Sequence, residues 1–469
     1  MQLKPLFLAL TWALAPAAQA ANLSDMLRDA QAYDAQYASA RAAWQAGQEK
    51  SVQGRAGLLP NVNLGGNIRY NSVNSTLPGG DANYDSNGLS INAAQPLFRR
   101  QNQVQFEQSK NQVKIAAVQL KVAEQDLILR IAQAYFDVLQ AQDNIAFINS
   151  QKSAITEQLA SAKRNFEVGT ATVTDTHEAQ ARFDLAVAQE IAEQNTLSIR
   201  QRALEKLIGK PAGSLDTLVE LKQLNAESGS MDEWAARAAE GNLQGEIQRL
   251  AKTIADQEVE RNRAGHYPTV DAVAGYSINN GQNFGSQQVD TRTATIGVEL
   301  NLPIYQGGLT SSRVREAVAN QEKARQDLEV ATREASLQAR QAWLNVNSGA
   351  ARVRALEQAL ASTQAQLDST KLGLQVGVRT NLDVLNAEQQ VLSARRDLAG
   401  ARYAYLLAGL SLKAAAGVLS AEDLQQIDKL LTSPAAKTAA VPAALVLKNT
   451  ALTQCETTKT DSRRTPPGA

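Results

Sequence analysis

The two halves of this chain repeat each other at a constant offset of 208 positions. The turn at Val168-Gly169 returns at Val376-Gly377, and a single residue of slippage separates Pro96-Leu97-Phe98 from its counterpart Pro303-Ile304-Tyr305. The pairs that share the offset include Gln133/Gln341, Ala134/Ala342, Tyr135/Trp343, Val138/Val346, Asp175/Asp383, Ala179/Ala387 and Gly209/Gly417. One offset held across a whole half predicts a duplicated structural unit.

This repeat divides the chain into parts. We predict a first structural repeat at 21–210, an equatorial connector at 211–232 and a second repeat at 233–418. A signal peptide is predicted at 1–20, and a C-terminal connector with a disordered tail at 419–469. The tail prediction rests on the Pro, Ala, Thr and Lys content of the last residues.

Each repeat contains an unusually long helical pattern. From Arg99 to Val168 about seventy residues pass without Gly or Pro, which predicts a helix of about 105 Å. After the break at Gly169, a second helix is predicted from Thr174 to about Ile208, folded back as a hairpin. Spacings of three and four predict a coiled-coil seam in the long helix. Its positions are Ile115, Val118, Val122, Gln125, Leu129, Ala132, Phe136 and Leu139.

Four shorter segments alternate apolar or small residues with polar ones, the period of two that is typical of strands. They lie at about 60–73, 87–98, 268–280 and 293–304. Each is long enough to cross hydrocarbon with a tilt. The linkers within each pair are rich in Gly, Asn, Ser and Asp and predict loops in water. The fold class is therefore mostly α with transmembrane β-strands.

The N-terminus indicates export. Lys4, an apolar run at 6–15 and Ala18-Gln19-Ala20 fit a secretory signal peptide, with Ala21 as the first mature residue. No later stretch supplies the roughly twenty apolar residues of a membrane-spanning helix. The 47 basic and 47 acidic residues cancel, which argues against a nucleic-acid partner.

Enzyme chemistry finds no support in the sequence. His177 and His266 are the only histidines and lack metal-ligand spacing, and Cys455 is the only cysteine. No phosphate-binding loop or nucleophile elbow is present. We therefore expect a protein that is not an enzyme and has no cofactor and no metal.

The strands indicate a pore shared between copies. Backbone polar groups in lipid must be paired, so strands survive there only in a closed barrel. Four strands cannot close one, since about eight is the practical minimum. Two, three or more copies would have to share a wall. A non-pore envelope coiled-coil scaffold or adhesin is the alternative, but it leaves the four alternating segments unexplained.

Two motifs carry a resemblance. Leu-Pro-Ile-Tyr-Gln-Gly-Gly at 302–308 and Val-Gly-Val-Arg-Thr-Asn-Leu-Asp-Val-Leu-Asn at 376–386, within the duplicated layout, resemble the TolC family of outer-membrane exit ducts. The resemblance covers about 22–432. It implies a homotrimer with a twelve-stranded barrel in the outer membrane of a Gram-negative cell, continued by a long α-helical barrel in the periplasm.

The resemblance also implies partners and cargo. A periplasmic adaptor, or membrane fusion protein, would connect the duct to an inner-membrane ABC exporter or proton-driven pump. Type I protein secretion and efflux of small molecules, including drugs, both remain open as uses, although the segment at 376–386 looks closer to relatives that serve protein export. The pump would supply the energy and this chain a gated path.

The site residues follow from matching positions. On the family pattern Asp175 and Arg379, beside Thr174, would form a tie that holds the periplasmic end shut, and Asp383 would form an acidic ring at the pore constriction. Mutual repulsion in such a ring raises the pKa of its members. The alternative for both aspartates is helix capping. Asn386 stands where the family often has a second acid, which weakens the expected cation block.

Two further positions complete the expected closed end. Leu374 stands where some relatives have a tyrosine that bonds across the gate, so that tie cannot form here. The turns at Gly169 and Gly377 would contact the adaptor or pump, although glycine also ends ordinary helices.

Overall fold

A computed structural model describes residues 22–74, 82–170, 172–218, 229–283 and 287–432. The predicted signal peptide and the tail after 432 lie outside these residues, as do 219–228 of the predicted connector.

The described chain is mostly helical. Its α-helices are α1 (Leu23–Tyr33), α2 (Ala35–Ala56), α3 (Arg100–Glu167), α4 (Val173–Ile208), α5 (Met231–Gly241), α6 (Leu243–Arg263), α7 (Leu309–Gln375), α8 (Asn381–Ala415) and α9 (Ala421–Asp428). The unbroken helix predicted after Arg99 is confirmed, and α3, with 68 residues, is about 100 Å long. Among the described helices, none is apolar over a length sufficient to cross a bilayer.

Four long strands form one antiparallel sheet, and two short ones pair elsewhere. The strands are β1 (Asn61–Val73), β2 (Ala82–Phe98), β3 (Thr217–Leu218), β4 (Thr269–Asn283), β5 (Gln287–Asn301) and β6 (Leu431–Thr432). The element order α, α, β, β, α, α thus occurs on each side of the connector.

The long strands extend further toward their connecting loops than the alternation predicted. β2 begins at Ala82 instead of about 87, and β5 begins at Gln287 instead of about 293 and ends at Asn301 instead of about 304. The residues expected to form loops in water continue the ladders, since Ser72 pairs with Asn83 and Gln282 with Gln288. Polar side chains do not prevent backbone pairing. A prediction that ends each strand where the apolar alternation stops therefore makes the strands too short at the loops.

The sheet has the order β1-β2-β4-β5, and its register gives it two unlike faces. One row of partners across the four strands is Val62, Ala93, Ala274 and Ile296, and the next is Leu64, Ile91, Tyr276 and Ala294. The row between them, on the opposite face, is Asn63, Asn92, Gly275 and Thr295. Opposed residues in an antiparallel pair share a face, so one face is apolar and the other polar.

An ion pair joins the sheet to the long helix. Asp271 of β4 is buried and accepts two hydrogen bonds from Arg99, the residue before α3, with Nε to Oδ1 at 2.7 Å. A bidentate pair of this kind fixes both distance and orientation. It therefore sets the direction in which α3 leaves the sheet.

The core lies around the middle of α3. Phe136 stacks on Tyr403 of α8 with ring centroids 5.4 Å apart, and Tyr135 donates to the backbone oxygen of Asp216 at 2.8 Å. Burial in this core raises the pKa of the Tyr135 phenol. The surrounding residues, all buried, are Leu23, Met26, Leu127, Ile128, Ile131, Leu139, Leu204, Leu410 and Leu424.

The predicted seam is only partly correct. Val118, Ala132, Phe136 and Leu139 are buried, but Val122 is exposed within this chain. Leu127, Ile128, Ile131 and Tyr135, outside the predicted positions, are also buried. The reason is that α3 is surrounded by α1, α4, α8 and α9 at this level, so it buries a broad face instead of a two-helix stripe.

The two ends of the described chain are fastened together. The carboxylate of Asp428, in α9, accepts hydrogen bonds from the backbone nitrogens of Leu23 at 2.8 Å and Ser24 at 3.0 Å. These are amides of the first turn of α1, which have no partner within their own helix. Nearby, β3 pairs with β6. We call this arrangement the terminal clasp.

Candidate functional site at the paired helical tips

The helices α3 and α7 end in the same turn. At the first tip the Gly169 nitrogen donates to Phe166 O at 3.0 Å, and at the second the Gly377 nitrogen donates to Leu374 O at 3.1 Å. The next residue in each turn donates five residues back, with nitrogen to oxygen distances of 2.8 and 2.9 Å. Both glycines have positive φ, 75° and 79°. This is the Schellman ending, which a left-handed glycine favours.

The helices α4 and α8 begin with the same capping box. Thr172 Oγ1 accepts from the Asp175 nitrogen at 3.3 Å, and the Asp175 carboxylate accepts from the Thr172 nitrogen at 2.9 Å. Thr380 and Asp383 make the equivalent bonds at 3.2 and 2.9 Å. Each box satisfies two backbone N–H groups and places a carboxylate at a helix N-terminus.

These bonds lower the pKa of both carboxyls. Backbone and hydroxyl hydrogen bonds from Thr172 lower the pKa of Asp175. The equivalent bonds from Thr380 lower the pKa of Asp383, and the charge of Arg379 lowers it further. Hydrogen bonding to the charged form favours ionisation. Both tips therefore present carboxylates at neutral pH.

The residues of the expected tie are distributed over the two tips. Asp175 bonds to its own Thr172, and among the ion pairs of the described residues none joins Asp175 to Arg379. Thr174 is exposed in the first turn of α4. The N-cap is Thr172, so the helix predicted from Thr174 begins one residue earlier, at Val173. Within one chain, capping is the observed role of Asp175.

The remaining expected residues cluster at the second tip. Asp383 and Asn386 lie on the first turns of α8, and Asn386 is exposed. Leu374 is half-buried in the last turn of α7. Lys371 and Glu388 join α7 to α8 through an ion pair of 2.8 Å. The second hairpin thus keeps its two helices in register close to the turn.

Apolar side chains project from both turns. Val168, beside Gly169, is 72% exposed, and Val376 and Val378, on either side of Gly377, are 66% and 74% exposed. Exposed apolar groups of this size at the end of a helical hairpin are typical of contact surfaces.

The capping residues Thr172 and Thr380 were missed by the sequence analysis. The signal was present, because threonine followed three residues later by an acid, before an apolar helix, is the capping-box pattern. Both aspartates were predicted from family positions, which carry no information about the hydroxyl groups that cap them.

Comparison with known proteins agrees with this geometry. The family described as "Outer membrane efflux protein" matches residues 26–210 and 235–418. TolC of Vibrio cholerae, an outer membrane protein, is 34% identical over 433 residues, covering 91% of this chain and 98% of that protein. The proteases secretion protein PrtF of Dickeya chrysanthemi is 32% identical over 425 residues, covering 87% and 91%.

A solved structure shares the fold. The CmeC outer membrane channel of Campylobacter jejuni superposes with a TM-score of 0.74 at 16% identity, covering 88% of this chain and 90% of that one.

A two-faced sheet joined to two very long helical hairpins, together with these relatives, identifies an outer-membrane channel that acts as an exit duct. The chain belongs to the outer membrane efflux protein family, and the predicted resemblance and outer-membrane location are confirmed.

Proposed function

We propose that three copies of this chain close one twelve-stranded barrel, continued by a hollow shaft of helices, and that the assembly is a passive exit duct. The observation that carries the proposal is the open sheet with unlike faces. In the described chain β1 and β5 each have only one neighbouring strand. Unpaired edges cannot persist in lipid, so other copies must complete the wall. Three copies, and not two, is the number that the family resemblance implies.

Helix surfaces support the same assembly. Exposed apolar residues on α7 recur every seven positions at Val330, Leu337 and Leu344. On α4 a second exposed apolar set, with spacings of six and eight positions that average seven, is formed by Leu185, Ile191 and Ile199. A seven-residue apolar repeat is the pattern of a helix that packs lengthwise on another. We assign both sets to contacts between copies.

The test combines conductance with assembly. The purified protein should pass single-channel current in planar bilayers and run as a trimer on gels without heating. Leu337→Glu should dissociate the trimer and abolish current, because the charge would be buried between copies. Gln338→Glu, at an exposed neighbouring position, is the matched control. A monomeric wild-type protein that passes no current would favour the scaffold alternative.

The tie between Asp175 and Arg379 is proposed as a contact between copies. Each residue is exposed at its own tip, and the Asp175 carboxylate keeps a second oxygen that could accept from a guanidinium. Thr174, exposed next to Asp175, would line the same contact. Breaking this pair favours an iris-like opening of the periplasmic end.

Three variants separate the tie from the cap. Asp175→Asn and Arg379→Ala should both raise conductance, since each removes one charge of the pair. Thr172→Ala weakens the capping box but keeps both charges, so it should raise conductance much less. Unchanged current in both charge variants would remove the gate assignment.

The constriction is proposed at Asp383, with Asn386 one helical turn further along α8. One carboxylate per copy around an axis makes a cation-selective ring. Neutral Asn386 leaves a single ring. Asp383→Asn should therefore lower cation selectivity, which the reversal potential in a salt gradient measures.

The exposed turns at Gly169 and Gly377 are proposed to contact a periplasmic adaptor, which in turn joins an inner-membrane ABC exporter or proton-driven pump. The exposed Val168, Val376 and Val378 supply apolar area for that contact. Val168→Asp combined with Val378→Asp should abolish export in cells and leave conductance of the purified channel intact.

Protein export is the favoured use, because one relative is named as a proteases secretion protein and covers most of this chain. Efflux of small molecules is the second candidate, supported by the family's own description. Deleting the gene and assaying both a secreted protein and drug sensitivity separates the two. Loss of secretion with unchanged drug sensitivity supports the first.

A further inference from the structure

The second tip contains a close contact between Gly373 and Arg379 that is not found among the described residues of the first tip. A Cβ atom built on Gly373 would lie 2.7 Å from Arg379 Cγ and 3.4 Å from Arg379 Cβ. The backbone oxygen of Gly373 also accepts from the Arg379 nitrogen at 3.2 Å and the Val378 nitrogen at 2.9 Å. The first part of the Arg379 side chain therefore rests directly on the bare backbone of Gly373.

Glycine is not needed there for backbone conformation. Gly373 lies inside α7 and is absent from the glycines of positive φ, in contrast to Gly377. In the interior of a helix, glycine is less favourable than alanine. The space that it leaves is what distinguishes it from alanine at this position.

The matching position of the first tip supports this interpretation. Asn165, 208 positions before Gly373, has a side chain, and its backbone oxygen accepts from both the nitrogen and the hydroxyl of Thr170. The same turn is thus built without a glycine at this point. The glycine occurs at the tip where an arginine side chain crosses the end of the helix.

We propose that Gly373 is a positioning residue for the gate: it seats the stem of Arg379 and so aims the guanidinium beyond the end of α7. This inference rests on the proposed function of Arg379 in the tie. A methyl group at position 373 forces a different χ1 at Arg379, because the blocked atom is Cγ, whose position χ1 sets, and not the mobile end of the side chain. The guanidinium then leaves its position, although its charge remains.

The experiment is a double-mutant cycle on single-channel conductance, with G373A, R379A and the double variant. G373A should raise conductance to at least half of the R379A increase, and the double variant should match R379A alone. Non-additivity of this kind shows that Gly373 acts through Arg379. The matched control is G349A, also in α7, where the new Cβ meets Tyr405 at an ordinary 3.6 Å.

The outcomes are distinct. If Gly373 had only a structural role, alanine would stabilise α7 and leave conductance at the wild-type level, which overturns the proposal. A double variant that exceeds R379A by the full G373A effect also overturns it. If R379A itself leaves conductance unchanged, the gate assignment fails and the seat fails with it. If R379A raises the conductance and G373A does not, the role of Arg379 in the gate is supported and only the positioning role of Gly373 is overturned.

Discussion

The two halves of the molecule share a backbone plan but fill it with different side chains. Two positions of α3, Leu127 and Ile131, are buried like their counterparts 208 positions later in α7, but those counterparts are the small residues Ala335 and Ala339. The bulk in the second half comes instead from Trp234 of α5, packed on Val346. In the main core α3 therefore contributes bulky side chains, while α7 packs against its neighbours through small residues.

The tips show the same division. Both have the Schellman ending and the capping box, but Arg379 and its glycine seat occur only at the second. The two tips thus share the hydrogen bonds to the backbone and differ in their side-chain contacts. The lesson is that the caps maintain the geometry of a hairpin, which leaves the other positions free to specialise.

Truncating a core side chain should give the largest difference in stability between matching positions of the two halves. Phe136 is 1% exposed, whereas Leu344, at the matching position of α7, is 53% exposed. Phe136→Ala should lower the free energy of unfolding by about 3 to 5 kcal/mol. In the dissociated Leu337→Glu background, where the proposed contact of Leu344 with another copy is lost, Leu344→Ala should lower it less than half as much. Thermal unfolding followed by circular dichroism measures both losses in the free energy of unfolding. Equal losses would contradict the conclusion that α3, and not α7, fills the main core with bulky side chains.

Adding an acid to the second tip should give the next largest effect. Glu178 occupies the position in α4 that Asn386 occupies in α8, and it pairs with Arg182 at 2.7 Å. Asn386→Asp would add a second carboxylate per copy below the proposed ring. The concentration of a divalent cation that halves the current should fall about tenfold, equivalent to about 1.4 kcal/mol. An unchanged value would place the constriction elsewhere.

Removing the caps tests whether the tips are equivalent. Thr172→Ala and Thr380→Ala should each destabilise the local helix start by about 1 kcal/mol. Amide hydrogen exchange in the first turns of α4 and α8 should then accelerate about fivefold at each tip. Thr174→Ala, which keeps the Thr172 hydroxyl, is the control. If exchange accelerates at only one tip, tertiary contacts keep the first turn folded at the other.

Acid should give the smallest and most discriminating effect. The pKa of Asp175 and that of Asp383 are lowered from 3.8, so the cap stabilisation is complete above that pH and is lost as the pH falls through the folded pKa. Exchange at both tips should accelerate only below pH 3.8. If the proposed ring forms, repulsion between copies opposes this shift, and Asp383 should titrate above Asp175.

The sequence predicted most of the architecture because the signals are local. Seventy residues without a helix breaker predicted α3, and alternation predicted the four strands. The strand ends were not predictable from hydropathy, since Asn83 and Gln288 are polar residues that pair in the ladders through their backbones. The core around Ile128 and Tyr135 was missed because it depends on how many helices surround α3, which only the tertiary structure gives.

For the candidate site, positions were predictable and contacts were not. Asp175 and Asp383 were chosen from family positions, but the structure gives each a capping bond to a threonine three residues before it. The contact between Gly373 and Arg379 depends on the path of the turn between them, and no sequence pattern predicts it.

The terminal clasp constrains the order in which the molecule can mature. Asp428 stands 405 residues after Leu23, so the first helix cannot be completed until nearly the whole polypeptide has been made. Contacts between such distant positions slow folding. During export, the segment that crosses first must wait with the amides of Leu23 and Ser24 bonded only to water until Asp428 arrives.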